Sequence, residues 1–243
     1  MIQQALILAA GLGTRMHPIT DTIPKPMVEI LGQSLVTKII DQLYKFSIRK
    51  IVINLFYKGE ILQKHVEEYV KNNFSDLDLH FVIEDELHEI WGSVKKILPY
   101  MNNQPFFIVN GDNYWIDRGE DIFDCLHSKW QETDMNALLL FYPKEQAIGY
   151  EGKGDFNFDQ DGRVVFPITE PLPFVYIGIQ IISPEFIWQE KLEKCNIFNV
   201  YARLNYRDVY ATIYSGYWFH IGTPRSITET ELFIKEHGLL SFR

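Results

Sequence analysis

Apolar and polar positions along this chain change period several times, and each change marks an element. Ala5 to Ala10 is an unbroken apolar run with the length and flanks of a buried strand. Gly32 and Ser34 read as a turn and a helix N-cap, and from Leu35 to Phe46 the residues Leu35, Ile39, Leu43 and Phe46 share one helical face. A β-rich run over residues 50–56, a helix from Gly59 to Lys71 and a short strand from Leu79 to Ile83 follow. Pro105 to Val109 is a third apolar run and ends in Asn110-Gly111-Asp112. This order of strand, helix, strand, helix, strand predicts a parallel sheet with helices on both faces.

Past the strand predicted for Ala137 to Tyr142 the pattern loosens. Gly149, Gly152, Gly154 and Gly162 punctuate short β runs, and Asp155 to Phe158 with Arg163 to Phe166 reads as a hairpin around Asp161-Gly162. Phe174 to Ile182, Asp208 to Tyr214 and Tyr217 to Ile221 are again strand-like, and a closing helix runs to His237 from Thr223 as N-cap with Pro224 at its first position. No polar linker separates the two halves. A single domain is therefore expected over residues 1–243, with one half at 1–142 and a mixed β extension plus closing helix at 143–243.

The first strand empties into Gly11-Leu12-Gly13-Thr14-Arg15, and Lys25 follows between Pro24 and Pro26. Glycines after a strand let the backbone turn tightly and aim N–H groups into a concavity that suits phosphate. Arg15 adds a planar fork, Lys25 a point charge, and the prolines restrict the chain around that lysine. Met16 stands where a dinucleotide fingerprint needs its last glycine, and no G-K-[ST] follows, so neither standard phosphate loop is present. A glycine pair alone is equally compatible with a plain strand-to-loop connection. The loop and Asp112 both lie at carboxyl ends of predicted strands, where ligands collect in such sheets, so they can converge on one site.

Composition narrows the classes. The 243 residues are 47% hydrophobic and 23% charged, ordinary for a globular protein, with a formal charge of −9 that argues against a nucleic-acid surface. Two cysteines, Cys125 and Cys195, are too few for a disulfide framework or a zinc site. No apolar stretch approaches the roughly 18 residues of a membrane span, and the N-terminal run lacks a basic flank, so a cytoplasmic protein is expected.

The string Leu8-Ala9-Ala10-Gly11-Leu12-Gly13-Thr14-Arg15-Met16 with Pro24-Lys25-Pro26 downstream resembles the signature of the sugar-1-phosphate nucleotidyltransferases, nearest their short members. The resemblance implies a Rossmann-like three-layer α/β/α sandwich and a reaction joining a nucleoside triphosphate to a sugar 1-phosphate with release of pyrophosphate. N-acetylmuramate-1-phosphate uridylyltransferases and mannose-1-phosphate guanylyltransferase-like proteins are the implied types. Carried onto this chain, Ala9, Ala10, Gly11, Gly13, Thr14, Arg15 and Lys25 handle the nucleotide, with Arg15, Lys25 and Asp112 catalytic. Asp112 would hold magnesium, or manganese, since such ions take few protein carboxylates and complete their shells from phosphate and water. An Asp in an ordinary strand-to-loop turn is the plain alternative.

Three departures from the family pattern stand out. Trp218-Phe219-His220-Ile221-Gly222-Thr223-Pro224 resembles the family's W-x-D-V-G-T-P, yet His220 replaces the Asp that supplies a second metal ligand. Imidazole suits manganese or zinc better than magnesium. The glycine-rich base-binding element is replaced by residues 88–93, with Gly92 left for a close backbone contact and Glu84 as a candidate hydrogen-bond acceptor for the base. The E-K-P that binds the acceptor phosphate is reduced to Thr169-Glu170-Pro171, leaving Lys153 or Arg163 as substitutes, with Asn110, Gly154 and Glu170 as expected sugar contacts. Asn110-Gly111-Asp112-Asn113-Tyr114 also resembles the D-x-D-N-Y of phosphocholine cytidylyltransferases, and the departures suit a regulatory protein that binds nucleotide without catalysis. The expected partners are the two substrates, without nucleic acid or membrane, in a monomer or homodimer.

Overall fold

A computed structural model of the chain describes residues 2–86, 90–132, 134–165, 170–189, 197–203 and 208–242. The first half runs through β1 (Gln4–Leu8), the two-residue strands β2 (Glu29–Ile30) and β3 (Gln33–Ser34), α1 (Leu35–Lys45), β4 (Lys50–Leu55), α2 (Gly59–Asn73), β5 (Asp78–Ile83), α3 (Ile90–Ile97) and β6 (Phe106–Asn110). There follow β7 (Asn113–Ile116), α4 (Ile122–Trp130), β8 (Ala137–Pro143), β9 (Phe174–Ile182), α5 (Pro184–Gln189), α6 (Ile197–Arg203), β10 (Val209–Ile213), β11 (Tyr217–His220) and α7 (Pro224–Glu236).

Seven strands form one sheet in the order β10-β8-β9-β6-β1-β4-β5. β1 lies parallel to β4 and β6, β5 parallel to β4, and β10 parallel to β8, while β9 runs antiparallel to both β6 and β8. β1 is apolar at every interior position because both its faces are covered. Ala5 and Ile7 look into one core with α1, α2 and α4 (Ile39, Val66, Phe123), and Leu6 looks into another with α3 and α6 (Trp91, Val200). The three-layer α/β/α sandwich and its mixed β extension are thus present, and the switch of direction at β9 is where the mixing begins.

The helices start where the residues allow. Ser34 caps α1 by accepting from the Thr37 N–H, Asp121 caps α4, and Thr223 and Ser226 form a reciprocal capping box under α7 with Pro224 at its first position. Ile39 on α1 is fully buried, so truncating it to Ala would cost about 2–5 kcal/mol. β7 and β11 make a separate antiparallel ribbon, and a third apolar cluster joins it to α7 and to Met16 of the glycine loop.

Several elements differ from the expectations. Residues 90–97 are helical, although the stretch was read only as a replaced glycine-rich element; Trp91, fully buried against Phe186, anchors that helix on the sheet. α4, β7 and the short α5 and α6 went unread, because none of them is long enough to set a clear period. The hairpin around Asp161-Gly162 is a short one: Phe158 bridges Val164, and Gly162 takes a left-handed φ of 83°. Its far end, at residue 166, lies outside the described residues, as do His88, Glu89, Thr169 and Cys195.

Candidate active site

The glycine loop is held from three sides. Gly111 N–H donates to Leu8 O at 2.8 Å, joining the turn that carries Asp112 to the end of β1. A Cβ at Gly111 would stand 2.9 Å from that same oxygen, so only glycine lets the two strand ends approach. Ala9 N–H donates to Asn54 Oδ1 at 2.7 Å, and Asn54 Nδ2 donates to Glu84 Oε1 at 2.8 Å. Gly13 takes φ +65°, and its carbonyl accepts from Met16 N–H and Thr20 Oγ1, both at 2.9 Å. Met16 is fully buried, so the turn is pinned at one end while Arg15 beside it stays exposed.

Lys25 begins a single helical turn after extended Pro24, and its side chain is almost wholly buried. Its Nζ lies 2.5 Å from Asp112 Oδ2. Burial pushes the Asp112 carboxyl up, but the charge and hydrogen bond of Lys25, helped by His220, outweigh it and hold the group below the usual range. His220 ends β11 and sits opposite Asn113 in the register with β7, which brings it beside Asp112. Burial, then the Lys25 charge, lower the imidazole, with Asp112 opposing, so the ring is neutral at pH 7. Among the described residues no group of three or more His, Cys, Asp or Glu converges as a ready metal cluster.

Two cavities meet here. The first, about 400 Å³, is walled by the loop from Leu8 to Met16, with Lys25, Asn54, Ser93, Asn110 and Asp112. The second, about 250 Å³, is lined by Asn113, Tyr150, Asp155, Tyr176, Trp218 and His220. Arg15, Asn110 and Asp112 belong to both. Gly178 presses on Asn110: it has φ +74°, and a Cβ there would stand 2.4 Å from Asn110 Nδ2. Asn113 donates to Gly178 O at 3.2 Å and accepts from Trp218 Nε1–H at 3.1 Å, which ties the ribbon to β9.

Of the residues singled out in the sequence, Ala9, Ala10, Gly11, Gly13, Thr14, Arg15, Lys25, Asn110 and Asp112 line the first cavity, and His220 joins at the second. Six are not on either cavity wall. Glu84 is buried behind Asn54, with Oε2 unpartnered among the described residues. Gly92 is buried on α3, whose Ile90 and Ser93 face the first cavity instead. Gly154 lies one residue before the wall, and Glu170 is exposed. Lys153 is exposed, and Arg163 donates from Nε to Tyr210 Oη at 2.9 Å, away from either cavity. Asn54, Asn113, Tyr150 and Asp155 were missed as site residues; Asn113 sits in the string from Asn110 to Tyr114, whereas the other three have no distinctive local string and are brought in by long-range pairing.

Comparison with known proteins agrees with this geometry. The family profile described as Nucleotidyl transferase matches residues 4–166. The N-acetylmuramate alpha-1-phosphate uridylyltransferase of Caulobacter vibrioides is 29% identical over 237 residues, covering 96% of this chain and 97% of that protein. The D-glycero-alpha-D-manno-heptose 1-phosphate guanylyltransferase of Campylobacter jejuni is 26% identical, covering 91% of this chain and 95% of its own length. HddC from Yersinia pseudotuberculosis, crystallised with GMP-PN, shares the fold with a TM-score of 0.73 at 22% identity, over 96% of this chain and all of that one. The glycine loop, the paired cavities and these matches lead to one assignment: the chain belongs to the nucleotidyl transferase family, as a sugar-1-phosphate nucleotidyltransferase.

Proposed function

We propose that this enzyme transfers a uridylyl group from UTP to N-acetylmuramate 1-phosphate and releases pyrophosphate. The observation that carries the reading is the meeting of two cavities at Arg15, Asn110 and Asp112. The choice of substrates is supported by the end-to-end match to the Caulobacter vibrioides uridylyltransferase. The guanylyltransferase of Campylobacter jejuni, matched over nearly its whole length, favours GTP with a manno-configured acceptor as the second reading.

The first cavity takes the triphosphate and the second the acceptor. Main-chain N–H groups of the glycine loop bind phosphate oxygens, and Arg15 spans the junction where charge accumulates. Glu84 and Gly92 are assigned to the base side, with Asn54 standing between Glu84 and the cavity. Asn110, Gly154 and Glu170 are assigned to the sugar side. A phosphate oxygen of the acceptor attacks the α-phosphorus, the bond to the β-phosphate bridging oxygen breaks, and its electrons leave with pyrophosphate. No protein nucleophile is needed, since a phosphate monoester is already ionised near neutral pH.

Asp112 and His220 offer one carboxylate and one neutral ring nitrogen on a common wall, a donor set that fits a divalent cation completed by phosphate and water. The Lys25 ammonium at Asp112 shows that the position accepts positive charge. Such an ion, magnesium or manganese, would neutralise the triphosphate when bound. Lys25, on the wall of the same cavity as the glycine loop, would pair with phosphate.

The test is pyrophosphate release with UTP, GTP, CTP and ATP, each crossed with N-acetylmuramate, mannose, glucose and N-acetylglucosamine 1-phosphates and with phosphocholine, in magnesium and in manganese. Turnover with UTP and N-acetylmuramate 1-phosphate is expected, and a gain in manganese would support His220 as a ligand. Turnover with GTP and mannose 1-phosphate alone would favour the second reading. Nucleotide binding without release for any pairing would point to a regulatory protein and refute the enzyme.

A further inference from the structure

We propose that Asn54 and Glu84 are positioning residues that hold the glycine loop in its nucleotide-binding form: Glu84 orients the Asn54 amide, and Asn54 holds the loop through the Ala9 N–H. The inference rests on the first cavity being the nucleotide side. β1 leaves its ladder with β4 at the Leu8–Asn54 pair, and the next N–H, that of Ala9, goes to a side chain, Asn54 Oδ1, at 2.7 Å. One strand further out, Glu84 N–H donates to Leu55 O at 2.8 Å, which docks the residue after β5 onto the end of β4. Glu84 Oε1 there accepts from Asn54 Nδ2 at 2.8 Å. One amide thus joins three neighbouring strand ends.

Chemistry leaves that amide a single orientation. A main-chain N–H only donates and a carboxylate only accepts, so the oxygen must face Ala9 and the nitrogen Glu84. Both residues are buried, and water does not readily replace either bond. Among the described residues Glu84 makes no other side-chain hydrogen bond, and its Oε2 is buried without a partner. A buried carboxylate so sparsely bonded is a poor source of stability, which points to the site rather than the core as its place of action.

Glu84 lines neither cavity, whereas Asn54 and Ala9 line the first. Glu84 therefore reaches the nucleotide through Asn54, and the Ala9 N–H is spent on the brace rather than on phosphate. The far end of the loop is tied to the same strand end. Tyr57, just past β4, donates from Oη to Thr20 O at 3.0 Å, and Thr20 Oγ1 donates to Gly13 O at 2.9 Å. A loop fixed at both ends before the ligand arrives loses no affinity to its own ordering.

The test is an exchange of partners. Asn54→Asp (N54D) sets two carboxylates against each other, and adding Glu84→Gln (N54D/E84Q) restores one donor and one acceptor with their places exchanged. Nucleotide Kd is read by isothermal titration with UTP and with GTP, both KM values by steady-state kinetics, and folding by circular dichroism. N54D should weaken nucleotide binding roughly tenfold to a hundredfold at pH 8, with the acceptor KM within about twofold. The ratio to wild type should shrink toward pH 6, because one of two facing carboxyls takes up a proton and regains a donor. N54D/E84Q should bind nucleotide several-fold tighter than N54D. Should N54D not fold, Asn54→Ala takes its place; it should weaken nucleotide binding alike, and E84Q should then give no rescue. Wild-type affinity in N54D, an equal rise in both KM values, or a double variant no better than N54D would each overturn the brace while the function stands. A double variant worse than N54D would assign Glu84 to direct contact with the base instead. A wild type that binds GTP alone would overturn the uridylyl reading, with the brace read on GTP. One that binds neither nucleotide would overturn the first cavity as a nucleotide site and this assignment together.

Discussion

The first cavity takes most of its wall from one run of chain, residues 8–16, whereas the second, proposed for the acceptor, is assembled from the ends of β6, β7, β9 and β11 and a turn at 150–155. The first is therefore shaped by a loop whose course is set by two glycines and local hydrogen bonds. The second presents side chains whose positions depend on pairings spanning 65 residues between Asn113 and Gly178 and 105 between Asn113 and Trp218. Phosphate is the same in every nucleoside triphosphate and suits a fixed backbone cradle. An acceptor is distinguished by its substituents, and side chains on separate strands can be exchanged without disturbing the cradle.

The contrast can be broken most severely where the two sides meet. Lys25→Ala should lower kcat by about 100-fold to 1,000-fold, the usual loss on removing one charge-stabilising donor, with a folded protein by circular dichroism. Normal turnover in that variant would remove Lys25 from the reaction. Gly178→Ala puts a Cβ at 2.4 Å from Asn110 Nδ2 and strains a left-handed residue, so it should cost about 1–3 kcal/mol in denaturant unfolding. If the two sides are independent, it should also raise the acceptor KM far more than the UTP KM.

The glycines of the loop sharpen the comparison further. At Gly13 a Cβ would meet Thr20 Cγ2 at 3.0 Å and Lys25 Cβ at 3.1 Å with φ at +65°, so Gly13→Ala should lose about 1 kcal/mol and weaken UTP binding. A Cβ at Gly11 meets nothing within 4 Å, and Gly11 lines the first cavity. Gly11→Ala should therefore leave the melting temperature unchanged and raise only the UTP KM. A fall in stability there would mean that Gly11 serves the fold rather than the ligand.

The same difference explains what could be read in advance. Ala5 to Ala10 and the loop to Arg15 are local: a buried parallel strand is apolar throughout, and the phosphate turn needs its glycines in place. Lys25 was readable because two prolines bracket it, and α7 because Thr223 and Pro224 mark its start. Asp155 gave no signal, since an Asp near a glycine-rich hairpin looks like any turn residue until β9 pairs with it. Gly92 gave only a local signal: a lone glycine suggested a close backbone approach, and the helix that carries it, fixed from the core side by Trp91 and Val94, was not legible. Glu84 lay one residue beyond a strand end, yet its burial behind Asn54 depends on the pairing of β4 with β5.

In the proposed reaction the acceptor phosphate attacks the α-phosphorus directly across the junction of the two cavities. The measurement that tests it most directly is the stereochemistry of transfer from UTP made chiral with sulfur at the α-phosphorus, with the product analysed by phosphorus NMR. A single in-line displacement predicts inversion. Retention would require two displacements through a protein nucleophile, and would contradict the account.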